Sequence, residues 1–81
     1  MAKTIHSPKH IKLRTMLRAE RKKRKLTQHQ VAAKAGFYKS IVTKYETGER
    51  RLDMVEFLAV AKAIGFDPHG FIDTLEEEQL P

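Results

Sequence analysis

Leu26-Thr27-Gln28-His29-Gln30-Val31-Ala32-Ala33-Lys34-Ala35-Gly36-Phe37-Tyr38-Lys39-Ser40-Ile41-Val42-Thr43-Lys44-Tyr45-Glu46-Thr47-Gly48 reads as two short helices joined by a glycine turn. Thr27 and Gln30 have the spacing of a capping box, in which a hydroxyl and an amide exchange hydrogen bonds with backbone donors that the helix start leaves unpaired. Val31, Ala32 and Ala35 fall on one side of the first helix, and Gly36 stands where a left-handed residue ends it. Phe37, Ile41, Val42 and Tyr45 share one side of the second, which closes at Thr47-Gly48. The small alanines permit the two helices to approach closely.

Working outward, Ser7-Pro8 supplies a cap hydroxyl and a ring suited to the first helical position, so a helix is expected from near Pro8 to near Arg24. Its apolar stripe is Leu13, Met16 and Leu17, and Glu20 stands four residues before Arg24. Downstream, Asp53-Met54-Val55-Glu56 is a second capping box, leading into Phe57, Leu58, Ala61 and Ile64 at helical spacing, with Gly65 as the stop. Asp67-Pro68 opens a last helix carrying Phe71, Ile72 and Leu75, and the acidic run Glu76-Glu77-Glu78 opposes its dipole. No segment alternates with period two. The expected fold is therefore all-α: a basic N-terminal arm over 1–7, a compact five-helix domain over 8–75 and an acidic tail over 76–81.

Charge divides the 81-residue chain unevenly. Residues 1–51 hold fifteen of the sixteen Lys and Arg against three acids, and the remaining thirty hold one cation against seven acids. Such a field concentrates polyanions around the basic part, with nucleic acid the commonest. The chain has no cysteine, which excludes disulfides, thiolate zinc sites and a cysteine nucleophile, and suits a reducing cytoplasm. Its longest apolar run, Phe57 to Ala61, is far short of the ~20 residues of a membrane span, so a cytoplasmic protein is expected. His6, His10, His29 and His69 do not gather as metal ligands, and Asp67, Asp73 and Glu76 to Glu78 lack a partnering base or nucleophile. Neither an enzyme, nor a metal, nor a cofactor is expected.

Stepping 100° per residue from Lys39 puts Lys39, Ser40, Thr43, Lys44 and Thr47 in one sector, opposite Val42 and Tyr45. That face is short, polar and acid-free. Lys can donate to guanine O6 and N7, Ser and Thr bond either base type, and the Thr methyl can meet a thymine methyl. The pair of helices thus has the form of a helix-turn-helix whose second helix enters a major groove.

Leu26-Thr27-Gln28, Val31-Ala32, Gly36, Val42, Tyr45-Glu46 and Gly48 together resemble the Cro/C1-type (XRE) helix-turn-helix family of phage repressors, over about Arg14 to Ile72. The resemblance implies that Gln28 contacts phosphate and braces the recognition helix. By position it makes Lys39, Ser40, Thr43 and Lys44 base readers and pairs Arg21 with Glu46 as a structural salt bridge. It also places Arg50 and Arg51 beside the DNA backbone, helped by Thr27 and the arm. Two residues depart from the family pattern. Lys25 stands where glycine is usual, and Tyr38 replaces the Ser or Thr that caps the recognition helix and is assigned to a phosphate instead.

The apolar surplus of the last two helices predicts a homodimer through Phe71, Ile72 and Leu75 with Ala59 and Ala63, which presents two recognition helices to an inverted-repeat operator in duplex DNA. Repression by covering a promoter is the simplest expected outcome, with activation through a polymerase contact as a variant. Two alternative roles share these features. One is an antitoxin whose Asp67–Glu78 segment neutralises a toxin partner while the domain controls its own operon. The other is an RNA-binding or bridging module, which has few exposed aromatic residues for base stacking.

Overall fold

The computed structural model describes residues 6–81, so five of the seven residues assigned to the arm lie outside the described residues. Five helices follow one another: α1 (Pro8–Lys23), α2 (Gln28–Ala35), α3 (Lys39–Thr47), α4 (Met54–Ile64) and α5 (Pro68–Glu76). Among the described residues there is no strand, and no helix is long and apolar enough to cross a membrane.

Local chemistry accounts for the boundaries. Ser7 is extended and its hydroxyl accepts from the His10 N–H, with Pro8 at the first helical position. The capping box of α2 is complete: the Gln30 N–H donates to Thr27 Oγ1 at 3.0 Å and the Thr27 N–H to Gln30 Oε1 at 2.9 Å. Asp53 and Glu56 repeat the device at α4, with distances of 2.7 and 3.0 Å. Asp67 accepts from the His69 and Gly70 N–H groups to start α5. Lys25, in the usual glycine position, sits at φ 58° while its N–H bonds Lys22 O and the Leu26 N–H bonds Arg21 O. A residue with a Cβ therefore holds the left-handed turn after α1, at a cost of about 1 kcal/mol.

Leu17 of α1, Val31 of α2, Val42 of α3 and Val60 of α4 are the largest fully buried side chains, so four helices meet at one point. Each such burial contributes roughly 1.5–3 kcal/mol. Beside it Phe57, Phe66 and Phe71 cluster with ring centroids 4.7 to 6.0 Å apart, fastening α5 to α4. This bears on the expected subunit contact. Phe71 and Ala63 are core residues, Ile72 packs partly against the core, and Ala59 and Leu75 are half-buried. On α4 the large apolar residues left open are Met54, Val55 and Leu58, exposed by 62, 77 and 48%. The pattern of α4 is apolar on more than one side, and α5 covers the side from which Phe57 meets Phe71.

Candidate nucleic-acid interface

The α2–α3 corner is built on Gly36, which takes φ 78° so that the Phe37 N–H can return to Ala32 O at 2.8 Å. Phe37 packs on the core, and Tyr38 caps α3 without a side-chain hydrogen bond, its ring 82% exposed. The core takes Val42 and Tyr45 from α3, which turns the opposite side outward. Lys39, Ser40, Lys44 and Thr47 are exposed there, and Thr43 is half-buried at the edge. Lys39, Ser40, Thr43 and Lys44 line one shallow depression together with Glu49.

Thr43 is half-buried because it belongs to a polar chain running beneath the surface. Its hydroxyl donates to Gln28 Oε1 at 2.9 Å, and Gln28 Nε2 donates to Glu46 Oε1 at 3.0 Å. Glu46 also accepts from Arg21 Nε at 2.7 Å and Nη2 at 2.9 Å, and Arg21 Nη1 ends the chain on Leu26 O at 2.9 Å. The Arg21–Glu46 pair is forked and almost dry, and its hydrogen bonds hold the Arg21 guanidinium more firmly protonated than usual. These bonds join α1, α2 and α3 in one network and fix the angle at which α3 leaves the body. Both ends of the Gln28 amide are engaged in that bracing. One amide hydrogen and the N–H groups of α2 that precede Gln30 remain the means by which this corner can hold a phosphate. The Thr27 hydroxyl, an acceptor in the capping box, still has its proton to donate.

After α3 the chain turns at Gly48, with φ 87°. A Cβ there would lie 2.6 Å from Arg14 Cζ, so the missing side chain lets the Arg14 guanidinium lie across the turn. The two arginines that follow differ. Arg50 grips Glu56 through Nη1 at 3.1 Å and Nη2 at 2.8 Å and also donates to Arg51 O, which ties the turn to the start of α4. That grip, with the Asp53 N–H, lowers the Glu56 carboxyl below its ordinary range. Arg51 is exposed at the rim beside His10 and Arg14 of α1.

Two acidic residues join these side chains without having been assigned a place among them. Glu49 shares the depression of Lys39, Ser40, Thr43 and Lys44 and accepts from the Thr47 hydroxyl at 3.2 Å. Glu56 holds Arg50, and its signal was the capping box, whose glutamate keeps a second oxygen free for a cation.

A family model for the helix-turn-helix matches residues 17–71, which contain the corner and its supports. Among solved structures the chain is similar to an XRE-family-like protein from Pseudomonas syringae pv. tomato, at 37% identity over 96% of this chain and 95% of that one, with a TM-score of 0.86. It is similar too to the restriction-modification controller protein C.AhdI from Aeromonas hydrophila, at 30% identity over 75% and 88% of the two chains and a TM-score of 0.71. The controller protein C.Esp1396I, solved as a tetramer with its natural 35-base-pair operator, shares the fold at 19% identity, 83% and 88% coverage and a TM-score of 0.75. The comparison with curated protein sequences returned no match. With the family model spanning most of its length and a 37% identical relative matching nearly all of it, the chain belongs to the XRE, or Cro/C1-type, family of helix-turn-helix DNA-binding regulators.

Proposed function

We propose that the protein is a non-catalytic, sequence-specific regulator that binds an inverted-repeat operator in duplex DNA as a dimer and represses by covering a promoter. The observation that carries this reading is the outward face of α3: two lysines and a serine exposed on a helix that the Arg21–Glu46–Gln28–Thr43 network holds at a fixed angle. Lys39 and Lys44 donate to guanine edges, Ser40 bonds either base type, and the Thr43 methyl approaches a thymine. Glu49 accepts from a cytosine amino group at the rim of the same surface. Arg51, the α2 N-terminus with Gln28 and Thr27, and the exposed Tyr38 hold phosphates on either side, and these contacts set register without reading sequence. Arg50 acts one step back, by shaping the turn that presents Arg51.

Dimerisation uses the open apolar side of α4. Met54 lines a groove of about 170 Å³ together with Leu52, Ile72 and Leu75, Val55 and Leu58 of the same helix are exposed, and a two-fold axis through this region makes one patch serve both subunits. Multimeric operator binding by C.Esp1396I, which shares this fold, accords with such an arrangement. Selection of bound sequences from a random duplex library tests the proposal. An enriched site with two inverted halves spaced about one helical turn apart is expected, and a pool that stays random after repeated rounds refutes sequence-specific operator binding.

A further inference from the structure

We propose that Glu49 decides specificity by repulsion: its carboxylate accepts the amino group of one cytosine in each operator half-site and weakens binding to duplex of any other sequence. This rests on the operator-reading proposal and deepens it, because it makes one residue of the DNA-facing surface unfavourable toward DNA in general.

The structure fixes where that carboxylate stands. Gly48 takes φ 87°, and the Glu49 N–H returns to Lys44 O at 2.8 Å, which holds the residue against the last turn of α3. The side chain is exposed, and its Oε2 accepts from the Thr47 hydroxyl at 3.2 Å. That bond draws it toward the outward face of α3, where it lines the depression shared with Lys39, Ser40, Thr43 and Lys44 and is the only acid of that lining. The ion pairs among the described residues engage Glu20, Glu46, Glu56 and Asp67, and Glu49 is in none of them. Its Oε1 accepts no hydrogen bond from the described residues, and it takes no part in the network that orients α3. Neither the core nor the α3 network therefore accounts for an acid at this place.

The chemistry of the groove limits what can face it. A phosphate repels a carboxylate outright. Guanine presents two acceptors and thymine one, and adenine sets an N7 acceptor beside its N6 donor. Cytosine alone shows a donor on its edge with no acceptor beside it. Against the other three bases the carboxylate loses water without a full replacement. Lys39 and Lys44 attract any duplex, so in random sequence the acid subtracts from their effect, and only the matching base removes the subtraction.

Glu49→Gln tests this, because it keeps the shape and the acceptor for the Thr47 hydroxyl, removes the charge, and supplies an amide that pairs with adenine N6 and N7. Glu49→Ala, which has neither charge nor amide, accompanies it. Sites are selected from a random duplex library by the full chain in native and variant forms, and anisotropy gives affinities for the selected site and for random duplex at about 50 and 200 mM salt. The native protein should enrich cytosine at one position of each half-site. Glu49→Gln should change that preference to adenine and Glu49→Ala should lose it, with the other positions kept. Replacing the cytosine should weaken native binding by about tenfold and leave Glu49→Ala binding nearly unaltered. Both variants should bind random duplex about threefold more tightly than the native protein at the lower salt, with a smaller gain at the higher. Circular dichroism melting checks that the variants of this exposed residue fold. Identical selected sites for all three proteins, or random-duplex affinity that does not rise in either variant, overturns the proposal and leaves operator reading by α3 standing. If the native protein enriches no sequence, operator reading fails and the role of Glu49 fails with it.

Discussion

Replacing Glu46 by alanine removes the hub of the network that orients α3. The carboxylate accepts three hydrogen bonds, at 2.7 and 2.9 Å from Arg21 and 3.0 Å from Gln28. Its side chain is only 3% exposed and that of Arg21 only 10%, so water cannot readily replace what is lost. The guanidinium would keep Leu26 O as its remaining partner. Stranding a buried charge in this way costs about 3–5 kcal/mol. A domain of this size has roughly 4–12 kcal/mol in total, so Glu46→Ala takes a large fraction of its stability. At ~4–8 °C per kcal/mol the melting temperature should fall by about 12–40 °C. Urea unfolding followed by circular dichroism measures the loss directly. The double variant Arg21→Met, Glu46→Leu removes both charges and fills the space, and it should recover most of the stability. A single-variant loss below about 1 kcal/mol, or a double variant as unstable as the single, refutes the argument that an uncompensated charge sets the cost.

Lys25→Gly relieves the left-handed strain at φ 58° and should stabilise the domain by up to about 1 kcal/mol in the same urea assay. Glu56, whose carboxyl lies below its ordinary value of 4.5 because of Arg50 and the Asp53 N–H, contributes stability that is complete above pH 4.5 and lost as pH falls through its lower folded value. Unfolding curves across that range should be flatter for Glu56→Gln than for the native protein. Val55→Glu places a charge on the open side of α4, where Val55 touches little of its own subunit. It should leave the melting curve nearly unchanged while sedimentation velocity shows a monomer in place of the proposed dimer.

The helix boundaries were legible because each is written in one or two residues with a local job: the Ser7-Pro8 start, the boxes at Thr27 and Asp53, and the glycine stops. The position of α3 was equally open to reading, since Val42 and Tyr45 alone decide which side faces in. What escaped was the pairing between elements. Nothing local says that Arg50 bends back to Glu56 instead of facing outward, because the choice depends on how the turn after Gly48 delivers it. Likewise α4 is apolar on more than one side, and its pattern does not tell which side α5 covers; Phe71 and Ala63 went into the core and Met54, Val55 and Leu58 stayed open. The meeting of His10, Arg14 and Arg51 is a third case, brought about by α1 and the turn after α3 over a separation of some forty residues.

Operator recognition by this protein depends on whether the outward face of α3 reads bases. Lys44→Ala, a change at an exposed position with no role in the core, should reduce the ratio of selected-site to random-duplex affinity by about tenfold at fixed salt, because one good base contact discriminates by roughly 1–3 kcal/mol. An unaltered ratio, with both affinities falling together, would mean that the lysine only neutralises phosphate and that sequence is read elsewhere.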